Sequence, residues 1–274
     1  MTQPVWDGEG VDPWLSARLY AAAEVAEVER DIREVFWAVL SRWLVETARR
    51  VLRGTEPPDL NAVWARVPAW HDAVDQVVNG RIRDAMGVAY RRVLGEDYSW
   101  KQRAAVAVYL SEVRNRLVRV PDEVYELVAG QVVQGVNLGE SVPKLAARVD
   151  EVLSTTGSER WPNRSTVVAR TETIGALNAA RLDAFRVAAE EEPDVRFEKM
   201  WLATVDARTR DTHRAADGQR VPLDASFSVG AASLAFPGDP TGPAREVIQC
   251  RCTMLLVEPG ESVDMSDRQF REDR

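Results

Sequence analysis

Apolar residues return every three or four positions through most of the first half of the chain, the pattern of helices with one buried face. Val28, Ile32, Val35, Phe36, Val39 and Trp43 make one such stripe. Asp12-Pro13 opens it, an N-cap followed by proline at the first helical position, and Gly54 with Pro57-Pro58 closes it. Unbroken from Asp12 to Arg53, this helix would measure about 60 Å at a rise of about 1.5 Å per residue. That length suits an elongated bundle or a protein lying along a partner. A second helical region is predicted from near Leu60 to Leu94, with a break at Pro68 and a stop at Gly95. A third runs from about Ser99 to Val118, with Ala105, Val106, Val108, Tyr109, Val113 and Leu117 on its apolar side. Pro121-Asp122-Glu123 begins a fourth, its acids suited to the positive end of the helix dipole. Gly139 to Pro143 then turns the chain into a short helix ending near Leu153. Trp14, Trp37, Trp43, Trp64, Trp70 and Trp100 read as packing anchors of this body.

The pattern changes after the polar linker Ser154 to Glu159. One more helix is predicted from about Ser165 to Glu190, carrying Val168, Ile174, Leu177, Leu182 and Phe185. A strand-like piece follows from Phe197 to Val205, then a short polar helix from about Thr209 to Ala216 and a turn at Asp217-Gly218. A Pro/Gly-rich loop, Phe236 to Pro243, leads into a last strand from Val247 to Val257. The fold class is therefore mainly α with a small α+β C-terminal module and an elongated helical N-terminal body. Residues 1–157 are assigned to the body, 158–258 to the module, and 259–274 to an acidic, disordered tail.

Composition narrows the function. The 274 residues are 45% hydrophobic and 28% charged, the balance of a folded protein. No apolar run approaches the roughly 20 residues that span a bilayer, and the N-terminus lacks a basic and then apolar leader. A cytoplasmic product without a membrane partner is expected. The two cysteines share one tripeptide, which excludes a disulfide framework. A net charge of −8 argues against non-specific coating of nucleic acid. Locally, though, Arg81, Arg83, Arg91, Arg92, Lys101, Arg103, Arg114, Arg116 and Arg119 face four acids, an excess of +5. These nine are candidate DNA contacts, or else a solvated helical surface. The only lysines are Lys101, Lys144 and Lys199, a bias that fits a GC-rich genome better than a binding function.

The C-terminal third is more specific. In order stand Arg170-Thr171-Glu172 in a helix, Asn178, Trp201, Asp206-x-Arg208-x-Arg210-Asp211-x-His213, Asp217-Gly218, Pro237-Gly238-Asp239-Pro240 and Cys250-Arg251-Cys252. That order and spacing resembles the Mu F-like minor head proteins, a family of tailed-phage head morphogenesis associated with the portal vertex. The resemblance covers about Val167 to Val257; one departure is Gln249, where the family usually has Asn. It implies a structural head protein made in a bacterial cytoplasm and carried inside the capsid near the portal. Its partners would be the portal protein, the major capsid protein and packaged DNA, and it would assist head assembly, DNA packaging or ejection.

Three chemical readings of the motif residues stay open. Cys250 and Cys252, on one face of a strand with Arg251 opposite, join His213 as soft metal ligands. Asp206, Asp211 or Asp239 would supply a fourth, and one structural zinc would close the module. Alternatively the site holds no cofactor: both thiols are small buried hydrophobes, and His213 bonds an adjacent turn. The third reading is a nuclease or toxin-like enzyme centred on His213, with Asp206 and Asp211 for a metal and Arg208 and Arg210 for developing charge. Proteins with this module can carry toxin extensions, but only about twenty residues follow Cys252 here, so none is expected. Arg170 and Glu172 are expected to form internal pairs, Asn178 to bind loop backbone, and Asp239 to sit in a rigid turn. A free DNA-binding adaptor using residues 81–119 is the remaining alternative.

Overall fold

A computed structural model describes residues 13–54, 56–156 and 159–261, with the backbone alone for 13–22. The predicted cap at Asp12, the side chain of the Trp14 anchor and most of the 259–274 tail lie outside what is described. The fold is mainly α with a small α+β C-terminal part. Helix α1 runs Pro13–Val51, α2 Asn61–Trp64, α3 Val67–Ala73, α4 Asn79–Leu94, α5 Ala104–Leu117, α6 Val120–Asn137, α7 Val142–Leu153 and α8 Arg160–Glu190. Strand β1 (Glu198–Leu202) then pairs antiparallel with β2 (Arg220–Pro222) on one side and β5 (Thr253–Val257) on the other. A separate hairpin joins β3 (Phe227–Val229) to β4 (Ala232–Leu234), and the short helices α9 (Asp211–Ala216) and α10 (Ala244–Val247) fill the connections. Among the described residues no helix is long and apolar enough to cross a membrane.

Most predicted helix ends hold to within a few residues, because Pro and Gly set them. Pro68 and Pro121 each occupy a first-turn position of their helices, and Gly95 leaves α4 at a φ of 93°. Between α3 and α4 a π-helical stretch, Val74–Val78, has no obvious sequence mark. Its reason is spacing. Trp70, Val74, Val78, Ile82 and Met86 recur every four residues and all are buried. In a 3.6-residue helix such a series drifts around the axis, and one wider turn restores it to a single face. Helix α5 starts later than predicted because Trp100 folds back in a turn, its ring stacked on Tyr90 at 6.0 Å. A side chain at Gly87 would come within 2.2 Å of that ring, so this close approach requires glycine. Val108, predicted on the apolar side of α5, is 64% exposed, and Leu110 is buried instead.

The chain divides into two compact units, and the division does not follow the 157/158 boundary expected from the linker. One unit comprises residues 31–84 and 107–169. Its centre is aromatic: Trp70 meets Phe36 and Trp43 edge-on, at 6.0 and 5.6 Å. The indole N–H groups of Trp43, Trp70 and Trp161 donate to the carbonyls of Arg66, Leu117 and Val152, so their burial leaves no lost hydrogen bond. Trp64 is 43% exposed and lies against Tyr125, which makes it the least buried of the described tryptophans expected as anchors.

The other unit joins the described residues among 1–30 and 170–274 to 85–106. Ion pairs between helices distant in sequence tie these segments together. Arg170 pairs with Glu29 (2.8 Å), Arg181 with Glu24 (2.9 Å), and Asp183 with Arg103 (2.7 Å) and the Tyr90 hydroxyl (2.7 Å). Ile174, Leu182 and Phe185 of α8 pack with Trp201, Phe227, Leu234 and Met254 into this unit's core.

Candidate metal centre

The predicted site residues meet in this second unit. Helix α9 starts on extended Arg210, and its third residue, His213, points into the core beside Trp201 (5.5 Å, edge-on). The two cysteines lie in irregular chain between α10 and β5, not on the strand expected over Val247 to Val257. The break has a backbone cause: Gln249 takes a φ of 57°, outside the extended region. A left-handed position favours Asn over Gln, which gives a physical meaning to the one departure from the resembled family. The Gln249 amide is held by the Thr171 hydroxyl at 3.1 Å, tying the Arg-Thr-Glu helix to the turn before Cys250.

His213, Cys250 and Cys252 are all at most 2% exposed, and their ligand atoms lie within 4.8 Å of one another. His213 Nδ1 sits 3.3 Å from the Cys252 sulfur and 3.7 Å from that of Cys250. The Cys252 amide donates to the Cys250 sulfur at 3.4 Å. Without a metal, a hydrogen bond from the Cys252 thiol lowers the Cys250 pKa, while burial holds Cys252 well above the ordinary thiol range. On the far side of the ring, Nε2 lies 3.3 Å from a carboxylate oxygen of Glu246, which is itself buried and accepts from the Thr212 hydroxyl at 2.8 Å. Glu246 escaped the sequence reading because nothing marks it until α10 folds against α9.

Asp206 is not brought to the sulfurs. Both of its oxygens take the Arg251 guanidinium, one at 2.6 Å, and the Arg208 amide adds a bond at 2.9 Å. Arg251 holds the Asp206 carboxyl down to a pKa of about 2. Asp211 is fully exposed, and Asp239 closes its own turn by accepting from the amides of Ala235 and Thr241. Asn178 donates to the carbonyls of Pro237 (2.9 Å) and Cys252 (3.0 Å) and accepts from Thr253 and Arg181. It therefore clamps the Pro-Gly-Asp-Pro loop and the cysteine segment to α8. Gly238 makes the same approach possible: its φ is 82°, and a side chain there would meet the Gly175 backbone at 3.0 Å. Glu172 is buried, Arg208 is exposed, and Arg210 donates to the carbonyl of Ile248. Arg170, expected to pair within the module, pairs instead with Glu29 of α1.

The nine basic residues of the 81–119 segment divide between the units, with Arg91, Arg92, Lys101 and Arg103 in the unit that holds the cysteines. At least five of the nine have carboxylate partners among the described residues: Arg81 with Asp84, Arg91 with Glu96, Arg103 with Asp183, Arg114 with Asp75, and Arg119 with Asp122. Three of those acids lie outside the segment, so the local excess of charge is largely offset.

One further titratable group had no sequence signal. Lys199 on β1 is fully buried, donates to the Ala235 carbonyl at 2.7 Å and lies over the Phe227 ring at 5.2 Å. Burial lowers its pKa to about 8 from the ordinary 10.5. Between these values the unfolded chain binds the proton and the folded one does not, so stability rises with pH. Denaturant titrations at pH 7.5 and 10 should show this rise in the wild type and its loss in Lys199→Met; an equal slope in both would place the titration elsewhere.

These geometries can be set beside known proteins. Residues 126–255 match the family described as Phage Mu protein F like protein. The segment is a little under half of the chain and reaches upstream of the resemblance read from residue 167, into α6 and α7. The chain is 30% identical over 140 residues to minor head protein GP7 of Bacillus phage SPP1, a match covering 51% of this chain and 42% of that protein. It is also 31% identical over 150 residues to the NAD(+)–arginine ADP-ribosyltransferase EFV of Enterococcus faecalis, covering 55% of this chain and 29% of that one. The chain thus spans less than half the length of either relative. No solved structure gives a significant match.

Proposed function

We propose that this chain is a structural minor head protein of a tailed bacteriophage. It binds the portal protein inside the capsid, contacts the major capsid protein and packaged DNA, and assists head assembly, DNA packaging or ejection. The observation that carries the reading is the Mu F-like segment at 126–255, together with a relative named for its place in the SPP1 head. The geometry agrees in kind. The motif residues Asn178, Trp201, Asp206, Asp239 and Arg251 are engaged in holding loops and strands to one another. A hydrolase centred on His213 needs a ring open to substrate and a carboxylate free for a metal. His213 is buried, Asp206 is held by Arg251, and Asp211 faces solvent. The transferase activity named for the enterococcal relative belongs to a protein of which this chain matches 29%.

Co-expression with the portal protein of the same phage tests the reading. The expected result is a complex that stays together through size-exclusion chromatography. Separate elution at all salt concentrations would count against portal binding.

A further inference from the structure

We infer that His213, Cys250 and Cys252 bind one zinc ion, His213 through Nδ1, as a pin between α9 and the chain entering β5. Three donor atoms converge on one point in a region closed to solvent. Tetrahedral zinc, with bonds of about 2.3 Å to sulfur and about 2.0 Å to nitrogen, places N and S about 3.5 Å apart. The two observed separations, 3.3 and 3.7 Å, bracket that value.

Packing alone accounts poorly for this arrangement. An imidazole Nδ1 offers one proton or one lone pair, never both, so it can bond only one of the two sulfurs that face it, and the Cys250 sulfur is left to the Cys252 amide. A cation between the three atoms satisfies all of them at once. Binding releases the two thiol protons to solvent, and the resulting thiolates cancel the charge of the dication. The buried centre is then neutral, which lowers the cost of enclosing it.

The surroundings fit the same ion. A metal-bound histidine usually presents its other ring N–H to a carboxylate; Glu246, itself fixed by Thr212, stands 3.3 Å from Nε2, near enough to accept that N–H after a small turn of the ring, although the two are not aligned as a hydrogen bond here. The Cys252 amide already points at the Cys250 sulfur. Beside His213 and Cys252 lies a recess of about 10 Å³, bounded also by Thr204, Thr209, Gln249 and Arg251. It has room for about one water as the fourth ligand, the position Asp206 cannot fill while Arg251 holds it. Two thiolates and an imidazole select zinc over magnesium or calcium, which prefer oxygen, and are too few cysteines for an iron–sulfur cluster.

The test is the metal content of the full chain, purified without chelator from zinc-supplemented cells. About one zinc per chain is expected, in keeping with one closed site. Cobalt(II) should replace it with thiolate charge-transfer absorption, and chelation should lower Tm. His213→Ala and Cys252→Ser should lose the metal. Glu246→Gln, which leaves all three ligands in place, should fold and bind zinc roughly 10- to 100-fold more weakly. Wild-type protein that is metal-free, or whose Tm ignores both zinc and chelator, would overturn the inference. Iron or copper in place of zinc would overturn the choice of ion. Should the ligand variants fail to fold, wild-type metal content and Glu246→Gln still decide.

Discussion

Asn178→Ala should lower the stability of this protein by about 3 kcal/mol, because it leaves two buried carbonyls without their donor, at about 1–3 kcal/mol each, and takes the acceptor from the Thr253 hydroxyl, which keeps its bond from Arg181. The carbonyls belong to Pro237 and Cys252 and the hydroxyl to Thr253, so one side chain holds the proline loop, the cysteine segment and the first residue of β5 against α8. Thermal melting should register the change as a loss of roughly 6–12 °C. Asn178→Leu should cost nearly as much, since it restores volume but no donor. A loss below about 1 kcal/mol in both variants would mean that α8 is held by apolar packing alone.

The second large effect belongs to Asp206. Removing it with Asp206→Ala leaves a half-buried Arg251 without its bidentate partner, at a cost of about 3 kcal/mol near neutral pH. The sign of its pH dependence follows from the depressed pKa. Folded Asp206 titrates at about 2 and the unfolded residue at its ordinary 3.8, so its contribution is complete above pH 4 and is lost as pH falls through 2. That difference corresponds to about 2 kcal/mol of stability removed across the window. Denaturant titrations between pH 7 and 2 should therefore show wild type and variant converging in acid. Parallel curves would show that the Arg251 pair contributes little.

How far the sequence revealed this structure depends on the range of the forces involved. Helix ends were legible because Pro68, Gly95, Pro121 and Gly139 act on the backbone within one turn. The four-residue spacing that produces the π-helical stretch was present in the sequence too, but a single helical period hides it. The unit boundary was not legible: Glu24 and Glu29 look like ordinary surface acids until Arg181 and Arg170 arrive from about 150 positions away. The candidate site divides the same way. The order of its motifs gave the family and brought His213, Cys250 and Cys252 forward together. Sequence spacing could not separate Asp206, which Arg251 takes, from Glu246, which α10 delivers to the other side of the ring. Nor could it show that the cysteines precede β5, because the left-handed turn at Gln249 is tied by a bond that its amide donates to Thr171, 78 positions away.

The central claim, that the chain is a component of the phage head, has one direct measurement. Particles of the phage encoding it should be purified, treated with protease, and analysed by mass spectrometry before and after the heads are opened. The account predicts that the chain is present in particles, resists protease while heads are closed, and is digested once they open. Its absence from purified particles, with the protein found only in the host lysate, would contradict the account.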